Sequence, residues 1–189
     1  MKKYTLFAGV NGAGKTSIYK SVFFNEKDMG KRINTDEMVA RIGSWQDNNL
    51  QIKVGREAVR MIDYYIRNDI SFHQETTLSG KSIIKNIKKA KENGFFIVMN
   101  YIGLENSEIA KVRVRFRVSK GGHGIPDEVI EKRYAESLLN LKDAIKICNE
   151  VNIFDNTNEF IQLINIKNGK LVWRDNIIPK WANTILKEL

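Results

Sequence analysis

The octapeptide GVNGAGKT at positions 9–16, directly after the apolar run YTLFA, constrains this chain more than any other stretch. It fits G-x-x-x-x-G-K-[ST], with Gly9, Gly14, Lys15 and Thr16 at the fixed positions and Gly12 as a further small residue inside the loop. In such a loop successive backbone N–H groups point inward at an anion, and only residues without bulky side chains let the backbone come that close to phosphate oxygens. Lys15 is then placed to reach the β- and γ-phosphates and the Thr16 hydroxyl to hold Mg²⁺, while the helix opening at Lys15 adds its positive N-terminal end. A plain glycine-rich turn is the competing reading. The flanks decide against it, because an expected strand (4–8) precedes the loop and a helix-compatible segment, TSIYKSVFF (16–24), follows. Asn11, Ala13 and Ser17 complete the expected cradle for ATP or GTP with Mg²⁺.

Beyond the loop, strand and helix signals alternate. KRINTD (31–36) reads as a short extended piece ending in Asn34, Thr35 and Asp36. Between 49 and 67, Ile52, Ala58, Val59, Ile62, Tyr65 and Ile66 recur at helical spacing. A strand is expected at 70–74, a helix at 81–92, and a nearly continuous apolar strand at 95–103, the mark of burial on both faces of a parallel sheet. A helix over 107–120 carries Lys111, Arg113, Arg115 and Arg117 and leads into GGHGIPDE. Pro126, Asp127 and Glu128 suit the first turn of a long helix with the stripe Ile130, Tyr134, Leu138, Leu141, Ile145 and Cys148. A strand at 151–154, a hairpin (160–166 and 171–173) turning at Asn168–Gly169, and a helix at 181–189 complete the pattern. The fold class is α/β, a P-loop NTPase-type three-layer sandwich with a mainly parallel sheet. It is expected as one domain over 1–189 that closes with the hairpin and helix at 158–189.

A single cysteine, Cys148, excludes an internal disulfide framework. The N-terminal Met-Lys-Lys-Tyr runs straight into the first strand without an apolar leader, so a reduced, cytoplasmic setting is expected. No apolar stretch approaches the ~20 residues of a membrane span. The formal charge of +9 favours anionic partners, and charge alone leaves nucleic acid, a nucleotide-bearing small molecule and an acidic protein open.

Four stretches, GVNGAGKT, INTDEM, QETTLSG and RVSKGGHGIPDEVIEKRY, stand in that order. Together, over 7–156, they resemble the zeta toxin family, P-loop kinases allied to the UDP-N-acetylglucosamine kinases of toxin-antitoxin systems. The resemblance implies phosphoryl transfer from ATP or GTP to a hydroxyl of a small nucleotide-linked acceptor, and a possible antitoxin protein as partner; membrane and nucleic acid are not expected partners. Asp36 matches the aspartate that takes the substrate proton, and Glu75 and Thr77 match positions that contact the substrate, with Glu75 also near the metal. Arg117 and Arg133 match arginines of a helical lid, here at about 105–135, that act on the γ-phosphate beside Lys15. Arg113 lines the same face, and Asp155 and Asn156 match a pair near the adenine.

Bland readings stand beside these roles. Asp36 serves equally as a helix cap. An Arg-rich helix is usually a solvated face. Glu75 fits a capping box poorly, because there the hydroxyl residue precedes the acid by three, and His73 is read as a core strand residue. No Walker B aspartate ends the strand at 95–103. The Gly-Gly-His stretch belongs to shorter, solitary members for which the resemblance fixes no acceptor; UDP-N-acetylglucosamine comes from the allied branch. Two rivals remain, a kinase of another acceptor (dinucleotide, antibiotic or nucleic-acid end) and a P-loop switch whose slow hydrolysis governs a partner contact. The joint presence of Asp36, Glu75 and the arginines favours transfer.

Overall fold

A computed structural model describes residues 1–20 and 29–187. The part of the expected TSIYKSVFF helix beyond residue 20, and the last two residues of the helix expected at 181–189, lie outside the described residues. The first strand, β1 (Lys3–Ala8), is buried at five of its six positions, which explains why YTLFA is apolar on both faces. Leu6 and Phe7 are completely buried, each worth about 1.5–3 kcal/mol on removal from water. β1 sits between β3 (Phe72–Thr76) and β4 (Phe96–Gly103), parallel to both. β2 (Lys31–Ile33) extends the sheet on one side and β5 (Glu150–Asp155) on the other, again in parallel.

The strand order is β2-β3-β1-β4-β5-β6-β7, with β6 (Ile161–Lys167) and β7 (Lys170–Arg174) antiparallel. The expected C-terminal hairpin is therefore the edge of the main sheet. Its turn is Asn168–Gly169, both at positive φ (49° and 73°), the backbone a two-residue hairpin with right-handed strand twist requires.

Helices cover the sheet, their inner faces set by helical spacing. α1 (Lys15–Ile18) opens at Gly14. α2 (Thr35–Ile42) and α3 (Asn48–Arg67) follow β2, α4 (Lys81–Glu92) joins β3 to β4, and α5 (Ser107–Ser119) and α6 (Asp127–Ile147) join β4 to β5. α7 (Lys180–Leu186) closes the described chain and buries Trp181 beside Gly103. In α3 the buried row is Val54, Ala58, Ile62 and Ile66. Ile52 and Val59, expected on the inner stripe, are 55% and 42% exposed, since the i, i+4 row that meets the sheet leaves them on the outer side. β3 begins two residues later than expected and carries Glu75 inside the strand, held opposite Phe7 of β1.

The main core lies between the sheet and α3, α4 and α6. A second cluster packs Val10, Ala13 and Ile18 against Ile102, Leu104, Ala110, Val114 and Ile130. The glycine-rich loop is thus seated on α5 and the start of α6, the segment expected as the lid. Among the described residues, no helix is long and apolar enough to cross a membrane.

Candidate active site

The C-terminal ends of the parallel strands converge on one side of the sheet, where open α/β sheets hold ligands. Gly9–Thr16 follows β1, Asn34–Asp36 follows β2, Glu75–Thr77 closes β3 and Asn156 follows β5. Two glycines explain the loop's shape. Gly9 has φ +141° and a Cβ there would collide with the Ile102 carbonyl oxygen; Gly14 has φ +99° and a Cβ would collide with the Asn156 amide. That amide donates to the Ala13 carbonyl at 2.8 Å, so Asn156 fastens the loop from β5.

Two cavities open on the loop. The first, of about 340 Å³, is lined by Asn11, Gly12, Gly14, Lys15, Thr16 and Ser17, with Arg113 and Arg117 from α5 and with Asp36 and Glu75. The second, of about 230 Å³, is lined by Asn34, Thr35, Asp36, Gln51, Gln74, Glu75, Thr77, His123 and Arg133, among others, and again by Asn11 and Lys15. Both share Asn11, Lys15, Asp36 and Glu75. A donor phosphate in the first and a hydroxyl in the second would meet at these side chains. Gly9, Ala13 and Asn156 line neither cavity and shape the loop from behind.

Lys15 Nζ donates to the carbonyls of Gly9 (2.7 Å) and Val10 (3.0 Å), folding the lysine back over its own loop. Desolvation pushes its pKa down to about 8; Asp36 and Glu75 pull it up, and Arg117 and Arg133 push it further down. One lysine is therefore surrounded by two carboxylates and two guanidinium groups, all close enough to change its charge.

Thr16 Oγ1 donates to Glu75 Oε2 at 2.6 Å, and Arg32 Nη2 donates to Glu75 Oε1 at 2.6 Å. Arg32 also binds Glu37 through Nε and Nη2 and stacks its guanidinium 3.9 Å over the Tyr19 ring. Glu75 is 9% exposed, and both its oxygens are hydrogen-bonded, so its carboxylate is fixed beside Thr16. Arg32 escaped the sequence reading because its spacing to Glu75 carries no motif. β2–β3 pairing makes the contact, setting Arg32 opposite His73, two residues before Glu75.

Asp36 is not the cap of α2. Asn34 Oδ1 accepts from the backbone N–H of Asp36 (3.0 Å) and of Glu37 (3.2 Å), so the capping role belongs to Asn34. The Asn-x-x-Glu spacing at Asn34–Glu37 is the signal that marks this cap. Asp36 is left in the first turn with its carboxylate on both cavities, 3.8 Å from His123 Nε2. Thr77 shares a hydroxyl contact of 2.7 Å with Ser79.

The two expected lid arginines separate. Arg117, in the last turn of α5, lines the first cavity, and its Nε and Nη2 are buried without a hydrogen-bond partner among the described residues. Arg133, in α6, lines the second cavity and donates from Nη1 to Asn11 Oδ1 at 3.0 Å. Arg113 lines the first cavity while its Nη2 holds the Thr157 carbonyl at 2.9 Å. Asp155 is structural, accepting from Trp181 Nε1 and from the Thr157 hydroxyl and N–H. His73 lies buried in β3, its Nδ1 3.0 Å from the Met29 carbonyl oxygen.

No family model matches the chain. In solved structures, a chain of the AvrRxo1-ORF1:-ORF2 complex with ATP superposes over 99% of this chain with a TM-score of 0.72 and 16% identity. This chain covers 63% of that one. A chain of the PezAT chromosomal toxin-antitoxin system of Streptococcus pneumoniae matches over 100% of this chain and 85% of its own, with a TM-score of 0.59 and 14% identity. A chain of the Pnkp1/Rnl/Hen1 RNA repair complex matches over 75% of this chain and 46% of its own, with a TM-score of 0.60 and 19% identity. These likenesses establish a P-loop NTPase-type α/β fold with a mainly parallel sheet. In sequence, an uncharacterized protein of Haemophilus influenzae (strain Rd KW20) is 36% identical over 132 residues, which is 70% of this chain and 92% of that protein. The chain belongs to the family of this Haemophilus influenzae protein.

Proposed function

We propose that the protein is a cytoplasmic kinase that moves the γ-phosphoryl group of ATP or GTP onto a hydroxyl of a small nucleotide-linked acceptor. UDP-N-acetylglucosamine is the acceptor the family resemblance brings forward. The observation that carries this reading is the pair of cavities meeting at Lys15, Asp36 and Glu75. A nucleotide switch needs the first cavity; the second, with a carboxylate at the junction, has a use only if another molecule reacts there. The ATP in the AvrRxo1-ORF1:-ORF2 structure supports nucleotide in the first cavity. The protein complexes in which that chain and the PezAT chain occur support a protein partner, an antitoxin, for this chain too.

In the reaction the acceptor O–H bond breaks as its proton passes to Asp36, an O–P bond forms, and the bond between the γ-phosphorus and the β,γ-bridging oxygen breaks to release ADP or GDP. Little covalent chemistry falls to the protein, so its work is positioning and charge neutralisation. Lys15 and Arg117 face the phosphate side and Arg133 the acceptor side. The residues present fit Mg²⁺: the Thr16 hydroxyl and the Glu75 carboxylate offer adjacent hard oxygens that would hold the ion. When bound, the ion neutralises charge on the β- and γ-phosphates. The Arg32 contact keeps one Glu75 oxygen engaged and holds the carboxylate toward Thr16.

Asp36→Asn tests the base. The amide keeps the shape without the basicity, so turnover falls by about 10²–10³-fold, the usual worth of a positioned base, while ATP affinity stays within a few-fold. Transfer of labelled phosphate and calorimetric ATP binding, with Mg²⁺ affinity measured alongside, check it; undiminished turnover removes Asp36 from the mechanism.

The Lys15 environment adds a pH dependence. Burial holds its ammonium pKa down at about 8, and phosphate oxygens beside it would raise that value. Binding then takes up a proton above pH 8, so affinity is full below the free-protein pKa and is lost as pH rises through it. ATP should bind about tenfold more weakly at pH 9 than at pH 7. Calorimetry at the two pH values checks this, and equal affinity at both means that Lys15 does not contact the nucleotide as an ammonium.

A further inference from the structure

We propose that His123 orients the acceptor hydroxyl together with Asp36, fixing the direction in which its oxygen attacks. This deepens the kinase reading and rests on it. His123 lies in the turn between α5 and α6, within the Gly-Gly-His stretch. Its side chain is 11% exposed and its Nε2 is buried without a hydrogen-bond partner among the described residues. A buried ring nitrogen with no partner is costly unless something bonds it in the working state. His123 lines the same cavity as Asp36, and its Nε2 stands 3.8 Å from Asp36 Oδ1, too far for a direct hydrogen bond. An oxygen atom about 2.8 Å from each spans that gap.

The stereochemistry of an alcohol oxygen gives the pair its use. Of its four tetrahedral directions one is bonded to carbon and one carries the proton, which goes to Asp36. If the His123 Nε2–H occupies one lone pair, the remaining lone pair has a single direction left for attack, and Lys15 lines both this cavity and the one on the glycine-rich loop. The imidazole is held for this task. Its ring packs 5.8 Å from the Trp45 ring, and Trp45 also abuts Gly124, so the turn has little freedom around His123. Burial lowers the imidazole pKa; Asp36 opposes this, and Arg117 and Arg133 add to it, leaving the ring neutral at pH 7 with one N–H to donate. Because His123 lies on the chain between Arg117 and Arg133, an acceptor bonded to it also ties down the turn joining the helices that carry both arginines.

The experiment compares the unmodified protein, His123→Ala and His123→Gln with Mg²⁺, labelled ATP and UDP-N-acetylglucosamine, then with a set of other nucleotide-linked alcohols. The glutamine amide nitrogen takes roughly the place of Nε2 and can donate as it does. His123→Ala should lose about 10²-fold in kcat, with acceptor KM raised and ATP Kd unchanged. His123→Gln should recover to within about fivefold of the unmodified protein, because it restores the donor. Unchanged kcat and acceptor KM in both variants overturns the proposal. Equal impairment of both at intact ATP affinity overturns it too, assigning His123 to packing against Trp45. If His123→Ala fails to fold, His123→Gln alone decides: near-normal kcat and KM support the proposal, and a loss as large as 10²-fold in a folded protein overturns it. An unmodified protein that binds ATP yet phosphorylates none of these acceptors overturns the kinase reading itself, and this inference with it.

Discussion

Lys15→Ala lowers phosphoryl transfer by about 10³-fold or more, the largest loss expected from any single substitution in this chain. In the structure the ammonium is held by the Gly9 and Val10 carbonyls. Phosphate oxygens offer a stronger, charge-assisted partner, so the lysine exchanges two neutral acceptors for anionic ones when nucleotide enters. Alanine removes both sets of bonds, and it leaves Arg117 as a buried cation on the nucleotide side without the lysine beside it. ATP affinity falls together with turnover, because the lysine meets the phosphates in the ground state as well as the transition state. Calorimetry with ATP and Mg²⁺, run beside the transfer assay, checks both effects. An unmodified protein that ignores both ATP and GTP at millimolar concentration overturns the nucleotide reading of the loop.

Arg117→Ala should lower turnover by about 10³-fold while changing ATP affinity only a few-fold, since an arginine serving the transferring phosphoryl group acts mainly in the transition state. Its buried Nε and Nη2 have no hydrogen-bond partner among the described residues. A guanidinium taken out of water with donors unused is destabilising until an anion arrives. The alanine variant should therefore melt no earlier than the unmodified protein, whereas an arginine kept for packing would lower the melting temperature when removed. Lysine should rescue poorly, because it restores the charge but not the planar fork. Arg133→Ala differs in kind. Its guanidinium holds Asn11 and lines the second cavity, so on the proposed kinase reading acceptor KM should rise along with the loss of turnover. If Arg117→Ala and Arg133→Ala both turn over at the unmodified rate on a verified acceptor, the arginines are an ordinary helix face.

The division between the two arginines could not be read from spacing. Arg117 lies four residues before Gly121 and Arg133 eleven after Gly122, and the resemblance sets both on the γ-phosphate. The helices that carry them pack differently: α5 rests on the glycine-rich loop through Ala110 and Val114, and α6 passes the end of β4, where the Tyr134 hydroxyl binds the Leu104 carbonyl. One arginine is thereby turned to each cavity.

The sequence by itself determined the loop, the alternation of strands and helices, and the hairpin turn, because each is coded by neighbouring residues. Glycine at 9 and 14 is dictated by the local backbone, Asn168–Gly169 by turn twist, and YTLFA by burial on both faces of one strand. Tertiary structure alone decided how distant charges meet. Arg32 and Glu75, 43 residues apart, become partners through the pairing of β2 with β3. Asp36 is left unspent because Asn34 takes the cap, and His123 comes to face it because the α5–α6 turn packs against Trp45. Periodicity reports which face of an element is apolar. It carries no record of which polar groups, once withdrawn from water, must find one another, and at this site that pairing decides the chemistry.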